Sequence, residues 1–384
     1  MASEESAWMD EELTMLRDNV ARFIERELVP VSPDWEREGR VDNNSWRKAA
    51  EAGLLCAGIP ENYGGGGGTM AHEAVIQQEL VSAGLGGSFA VCHGIHSTIV
   101  AHYIYAYGTE EQKQRWLPAM ARAELIGAIA MTEPGTGSDL QAIRTTGKRE
   151  GDHYRLNGQK TFISNGQTAT LVLVVTRTGE PGSGGISLLA VETASAEGFR
   201  RGRNLEKLGM HGQDTSELFF DDVLVPVDNL LGGVEGNGFA QLMQQLAWER
   251  LSILLTAVES MDRAIRLTTE YVRERKAFGK TLMDFQNTQF VLADAKTQAT
   301  VGRHFFDSLM VKLLADDLDA TTAAMGKLWG AETAFKVIDS CQQLFGGYGY
   351  MAEYPIARLF ADARVARVYG GTSEIMKLII SRSL

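Results

Sequence analysis

The spacing of apolar residues changes period twice along this chain, and nothing else in the sequence constrains the fold as much. Up to about Ala123, apolar residues recur every three or four positions in segments such as 11–29 and 109–123, with Gly and Pro clusters at the breaks. From about Leu125 to about Val234, short β-rich runs take over: HYRLNGQ, TLVLVVTRT, GISLLAVET and SELFFDDVLVP, separated by Gly, Asn and Ser. Helical spacing returns near Gly236, with long pieces at roughly 237–273, 286–314 and 320–345 and shorter ones near 353–366 and 373–382. A block of strands between two helical zones predicts an α+β chain in three parts. These are an N-terminal helical domain (1–123), a middle β-barrel or sandwich domain (124–234) and a C-terminal helical bundle domain (235–384).

Composition narrows the function. At 384 residues, 44% hydrophobic and 22% charged, the chain can build a sizeable core. A net charge of −12 argues against a nucleic-acid surface, although a local pocket can still be basic. The three cysteines, Cys56, Cys92 and Cys341, form no metal or redox spacing, which points to a reducing compartment. The acidic N-terminus has neither an apolar signal core nor the Arg-rich texture of a transit peptide. No apolar run is long enough for a membrane span, and the terminal SRSL is not an SKL-type address. The expectation is a cytoplasmic protein in a bacterial setting.

Several familiar sites are missing. Neither GLGGSF at Gly84 nor GVEGNGFA at Gly233 fits G-x-G-x-x-G after a strand, which disfavours a nicotinamide-binding Rossmann fold. The run Gly64–Gly68 has no following Lys-Ser/Thr and reads as a plain loop, not a phosphate cradle. His93 and His96 lack a third ligand, so no metal is expected and they read as ordinary helix polar positions. There is no GxSxG elbow.

The segment Ala130-Met131-Thr132-Glu133-Pro134-Gly135-Thr136-Gly137-Ser138-Asp139 reads as a strand end entering a glycine-rich turn, whose amides and hydroxyls suit anionic oxygens. Here the sequence closely resembles the acyl-CoA dehydrogenase family. Further matches follow in the family's order: Phe162-Ile163-Ser164-Asn165-Gly166, Lys207-Leu208-Gly209-Met210 through Asp214-Thr215-Ser216-Glu217, and Arg275-Lys276-Ala277-Phe278-Gly279-Lys280 with Gln286. Gln343-Leu344-Phe345-Gly346-Gly347 and Tyr369-Gly370-Gly371-Thr372-Ser373-Glu374 complete the set. The resemblance implies bound FAD and a homotetramer in which neighbouring subunits share each flavin. It assigns Met131, Thr132, Ser138 and Ser164 to the flavin ring and its phosphate arm. Arg275, Phe278, Gln286, Gln343 and Gly347 would reach a neighbour's pyrophosphate and adenosine, and Thr372 and Glu374 would complete the contacts. Ser138 would also lie beside the acyl-CoA, with Arg250, Gly370 and Gly371. Read without the resemblance, Thr372 to Glu374 would only cap a final helix, and Phe278 would be ordinary core. Phe162 stands where the family usually has Trp on the flavin face, and Phe can still stack there.

Taking the α-proton of a thioester needs a base within hydrogen-bond reach, with donors on the carbonyl. Many family members carry that Glu directly after the tyrosine of Tyr-x-Gly-Thr, a position held here by Gly370. A second branch, with long-chain, isovaleryl and citronellyl-type enzymes, carries it on a long C-terminal helix, where this chain has Trp248-Glu249-Arg250. Glu249 lies three residues after Leu246 and four before Ile253, so it shares a face with apolar side chains. Partial burial there should raise its pKa. Arg250 either orients nearby groups or anchors the helix. The resemblance therefore implies α,β-desaturation of a long or branched acyl-CoA to a 2,3-enoyl-CoA. Glu249 would be the base, the β-hydride would pass to flavin N5, and an electron-transfer flavoprotein would be the acceptor. An oxygen-using flavin monooxygenase or oxidase of the same fold is one alternative, disfavoured by the presence of Glu249. A non-catalytic flavoprotein is another, disfavoured by the acidic charge.

Overall fold

The computed structural model describes residues 6–384; residues 1–5 of the acidic N-terminal segment lie outside the described residues. Side-chain caps set the helix starts in the N-terminal part. Asp10 accepts from Leu13 N to open α1 (Glu11–Phe23), and Glu11 and Glu12 place negative charge on its first turn. Then come α2 (Ser32–Glu38), α3 (Asn43–Glu51), α4 (Met70–Leu80), α5 (Phe89–His93), α6 (Ala101–Tyr107) and α7 (Glu110–Ala121). Thr69 and Thr109 close capping boxes at the starts of α4 and α7. The Gly64–Gly68 run is a loop folded onto the preceding chain. Its Gly66 and Gly68 amides donate to Cys56 O and Ala57 O, so those donors are committed internally.

The middle of the chain forms one seven-stranded sheet of β1 (Gly127–Ala130), β2 (Thr146–Glu150), β3 (His153–Ser164), β4 (Leu171–Arg177), β5 (Ile186–Glu192), β6 (Phe199–Asn204) and β7 (Thr215–Pro226). The order is β1-β4-β2-β3-β7-β6, with β5 pairing with β4, and the sheet curls into half a barrel. Strand β4 explains why the apolar runs there are continuous. Leu171, Leu173 and Val175 face Ile104, Trp116 and Leu117 of α6 and α7. Val172 and Val174 face the opposite way, onto Leu156, Leu218 and Phe220 of β3 and β7. A strand covered on both faces needs apolar residues at every position. Strands β2 and β6, TGKRE and FRRGRN, are not foreseen by the apolar pattern. Both are charged and mostly exposed, and pairing with β3 and β7 holds them as strands.

The C-terminal part comprises α8 (Gly238–Glu274), a hairpin of β8 (Lys276–Ala277) and β9 (Lys280–Thr281), α9 (Gln286–Leu314), α10 (Ala320–Gln343), α11 (Pro355–Ala363) and α12 (Ser373–Ser381). The helices fall where the spacing places them. At 37 residues α8 is about 55 Å long and touches both neighbouring parts of the molecule. It starts against β5, where a Cβ on Gly238 would lie 2.8 Å from the Ser187 backbone, so only glycine allows that approach. Further along, Trp248, Leu251, Leu254 and Val258 pack with Phe306, Leu309, Val337 and Ile338 of α9 and α10.

Two buried histidines tie separate elements together, and one of them joins a helix to the sheet. The expectation of ordinary polar helix positions is corrected here, because His93 and His96 are fully buried. His93 Nε2 is 2.7 Å from Leu54 O. Gly127 N, at the start of β1, donates to His96 Nδ1 at 3.0 Å, and His96 Nε2 is 3.1 Å from Met120 O. Since Nδ1 accepts, the proton sits on Nε2 and the ring is neutral. Burial, with the nearby His93, pushes the His96 pKa down to about 3. A depressed histidine leaves full stability above its unfolded pKa of about 6.5, and that stability is lost as pH falls from there, because only the unfolded chain takes up the proton. His96→Gln should therefore remove about one proton from the uptake on unfolding between about pH 6.5 and 4. Denaturant midpoints measured across that window test this, and an unchanged pH slope in the variant would sink the assignment.

Candidate active site

Strand β3 builds the first part of the site. Its register with β7 shifts between Lys160 and Ile163, and the bulge turns Phe162 out of the ladder at φ +59 with 68% exposure. Thr161 N donates to Thr132 O at 2.9 Å, which ties the bulge to the Met131–Asp139 loop. Beneath it, Lys160 is fully buried, and its Nζ donates to Met131 O at 3.0 Å and Glu133 Oε1 at 2.8 Å. Glu133 also accepts from the Thr145 and Arg144 amides. Burial lowers the Lys160 pKa to about 8 against the pull of Glu133. Burial also opposes ionisation of Glu133, but Lys160 and the two amides outweigh it and hold its carboxyl below the usual range.

Above this pair the loop keeps its donors free. Among the described residues, the amides of Thr132, Gly135, Gly137 and Ser138 donate to no backbone acceptor, and the Thr132 and Ser138 hydroxyls have no partner. Nothing lies within 4 Å of a Cβ built on Gly135 or Gly137. Ser164 ends β3 opposite Thr215. Uncommitted donors beside an outward aromatic fit a flat ring system with anionic oxygens, as a flavin nucleotide presents. Lys160→Met should leave Glu133 buried without its cation and cost about 3 kcal/mol or more. Denaturant unfolding would show this, and a loss below about 1 kcal/mol would mean that the pair does not hold the loop.

Helix α8 supplies the second part. Glu249 is 9% exposed, and its Oε1 accepts from Tyr103 Oη of α6 at 3.0 Å. Burial raises the Glu249 pKa to about 7, although the Tyr103 hydrogen bond and the Arg250 charge pull the other way. Arg250 is also buried, with its Nε unpartnered among the described residues. Lys327 of α10, pushed down to about 8 by burial and the Arg250 charge, donates to Gly371 O at 2.7 Å. Glu332 of α10 accepts from Ser373 Oγ at 2.8 Å and pairs with Arg367, so α10 grips the Tyr369–Ser373 turn from both sides. Gly370 has φ +63, and a Cβ there would lie 2.4 Å from Ile253 Cδ1. Ile253 is one turn along α8 from Glu249, so the glycine faces the same stretch of α8 that carries the carboxylate. Thr372 does cap α12, accepting from Ile375 N, with exposed Glu374 in its first turn. A cavity of about 70 Å³ continues from Ile253 past Thr256, Ala257 and Ser260 to Arg263, with Tyr369 and Gly84 on its other walls.

The remaining candidates form a separate group. The Arg275 guanidinium stacks 5.5 Å from the Tyr348 ring centre, beside Gly347, and joins the β8–β9 hairpin to the turn after α10. Phe278 sits between the two hairpin strands, 95% exposed, so it is not ordinary core. Gln286 opens α9, and Gln343 ends α10 on an open groove of about 790 Å³ that also reaches Leu208, His211 and Tyr350. Among the described residues this group shares no hydrogen bond or ring contact with Phe162 or Glu249.

Sequence reasoning missed Tyr103 and Lys160. Tyr103 lies 146 positions from Glu249 in a helical run that reads as core, and Lys160 sits in a strand where a lysine signals exposure.

Comparison with known proteins covers nearly all of the chain. The family models for the acyl-CoA dehydrogenase N-terminal, middle and C-terminal domains match residues 10–124, 128–223 and 236–384. The chain is 45% identical over 377 residues to the mitochondrial long-chain specific acyl-CoA dehydrogenase of Rattus norvegicus, covering 96% of this chain and 86% of that protein. The crystal structure of an acyl-CoA dehydrogenase from Geobacillus kaustophilus superposes with a TM-score of 0.95 at 46% identity, covering 99% of both chains. A glutaryl-CoA dehydrogenase from Mycobacterium smegmatis, solved in complex with FADH2, gives 0.90 at 28% identity, over 98% of this chain and 95% of that one. With all three of the family's domains matched in order on one fold, the chain belongs to the acyl-CoA dehydrogenase family, a family of flavin-dependent oxidoreductases.

Proposed function

We propose that this protein binds FAD and desaturates a long or branched acyl-CoA between its α and β carbons, with Glu249 taking the α-proton. The observation that carries this reading is a buried carboxylate one helical turn from Ile253, the residue that Gly370 faces. Oε1 is fixed by Tyr103, and Oε2 has no protein partner among the described residues. A solvated helix-surface glutamate, the ordinary alternative, is incompatible with that burial. Raised to about 7, the group is basic enough to accept a proton while about half of it is still ionised at neutral pH.

The flavin would be held by Met131, Thr132, Ser138, Phe162 and Ser164 from one side and by Thr372 and Glu374 from the other. When bound, it supplies the two-electron acceptor for the hydrogen leaving the β-carbon. The exposed Phe278, with Arg275, Gln286, Gln343 and Gly347 in their own group, supports a homotetramer in which these residues serve a neighbour's cofactor. Gly370, Gly371, Arg250 and Ser138 would border the thioester. An electron-transfer flavoprotein would be the acceptor.

The long-chain part of this reading is supported by the 45% identity to the long-chain specific acyl-CoA dehydrogenase of Rattus norvegicus.

Glu249→Gln keeps the shape and removes the basicity. It should still bind acyl-CoA but slow anaerobic flavin reduction by about 10²–10⁴-fold or more. The wild-type reaction should lose rate as pH falls through about 7, because the base must be ionised. Near-normal reduction in Glu249→Gln would remove the residue from the mechanism.

Gly370 offers a second test. A glutamate there must adopt a left-handed backbone at a cost of about 1–2 kcal/mol and would meet Ile253 Cδ1. Glu249→Gly with Gly370→Glu should therefore stay near background, and adding Ile253→Ala should recover measurable turnover. Recovery would be partial, since a misplacement of about 1 Å can cost about 10²-fold. Efficient rescue without the Ile253 change would show that the glycine position is roomier than its geometry indicates.

A further inference from the structure

We propose that Tyr103 is the positioning residue for Glu249, holding one carboxylate oxygen so that the other faces the substrate α-carbon. The inference rests on the reading of Glu249 as the base. Its starting point is that the two residues come from different parts of the fold. Tyr103 lies on α6, wholly buried in the cluster that joins α6 and α7 to β4 and β5, with its ring edge-on to Tyr107 at 6.1 Å. Its phenol therefore has a fixed origin that does not move with α8. Among the described residues Tyr103 Oη has no hydrogen bond besides the one to Glu249 Oε1, and Glu249 has no other side-chain partner.

A glutamate has three rotatable side-chain bonds, and pinning one oxygen removes most of that freedom before substrate arrives. The chemical identity of the donor matters as well. A lysine or arginine bonded to this carboxylate would orient it but would also strip its basicity. Arg250, next in sequence, is buried beside it without a hydrogen bond to it. A neutral phenol orients at a smaller cost in basicity, and burial keeps Tyr103 protonated, with a pKa well above its ordinary value, so it remains a donor throughout the working range. The charged or titratable groups acting on Glu249 are Tyr103 from α6 and Arg250 from its own helix. Lys327 of α10 acts on Arg250, and half-buried Tyr369 in the nearby turn has Asp362 as its charged neighbour.

The ordinary alternative is that Tyr103 is a core aromatic whose hydroxyl merely satisfies a buried acceptor. Anaerobic flavin reduction of the holoenzyme by a long-chain acyl-CoA, followed between about pH 5.5 and 9, separates the two. For Tyr103→Phe the acid limb should move up by about one pH unit, because a hydrogen bond to the ionised form is lost. The plateau above it should fall by about tenfold or more, because the carboxylate is no longer aimed. Replacing Tyr103 with 3-fluorotyrosine, a stronger donor of almost the same size, should move the limb down while retaining most of the plateau. A Tyr103→Phe enzyme that loses only stability or flavin content, with limb and plateau unmoved, overturns the inference. If that variant does not fold, an unshifted limb in the 3-fluorotyrosine enzyme overturns it instead. Glu249→Gln in the same assay tells the two readings apart. Retained reduction there defeats the base assignment itself, whereas an inactive Glu249→Gln beside unmoved Tyr103 variants defeats only the positioning role.

Discussion

The rest of this molecule is arranged around a carboxylate kept out of water at the meeting of three elements. An ionised glutamate in such a place is unfavourable unless something compensates it, and neutralisation by a raised pKa is the usual escape. Glu249 is raised only to about 7, because a phenol from α6 and the charge of Arg250 partly restore what water would supply. For that balance to hold, α6 must be fixed relative to α8. The packing of α6 and α7 on β4 provides this, as does the seating of α8 against β5 at Gly238. The raised carboxylate is therefore a property of how the helical parts dock on the sheet, beyond the identity of one residue.

The cofactor side follows the same logic with a different pair. Lys160 and Glu133 are both buried, and removing two charges from water is not recovered by their attraction alone. Three further hydrogen bonds, to Met131 O and from the Thr145 and Arg144 amides, complete the set. Their product is geometric: the start of the Met131–Asp139 loop is tied to β3 and to the Arg144–Thr145 segment, while the amides of Thr132, Gly135, Gly137 and Ser138 stay uncommitted. A network that spends its hydrogen bonds underneath leaves the upper surface for a ligand, which is how a glycine-rich loop can be both fixed and open.

Much of this was legible in the sequence, for identifiable reasons. The helices of the C-terminal part follow from three- and four-residue spacing, and β4 and β5 from nearly continuous apolar runs, because both faces of those strands are covered. Glu249 stands out because it occupies an apolar helix face while the alternative position is glycine. What stayed hidden depends on contacts between distant residues. Strands β2 and β6 carry charge at half or more of their positions, and only their partners reveal them. Tyr103 and Lys160 look like a core aromatic and a surface cation, and nothing local shows that each faces a carboxylate. His93 and His96 were misread for the same reason, since their partners are backbone atoms of other elements.

Gly370 and Ile253 give a reason for the proposed base to sit on the helix. In this fold a side chain at 370 and the side chain at 253 compete for one volume, with Ile253 Cδ1 only 2.4 Å from where a Cβ would be. With glycine at 370, Ile253 can extend over the turn and begin the wall that continues through Thr256, Ala257 and Ser260. A base at 370 would require a smaller residue at 253 and would interrupt that wall. It would also ride on a left-handed turn held through the Gly371 carbonyl and the ends of the segment. The base at 249 rides instead on a helix packed along most of its length. A group that must stay aligned to within about 0.5 Å is better carried by the rigid element. On the proposed reading, the position of the base and the shape of the neighbouring cavity are thus a single structural decision, made where α8 passes the Tyr369–Ser373 turn.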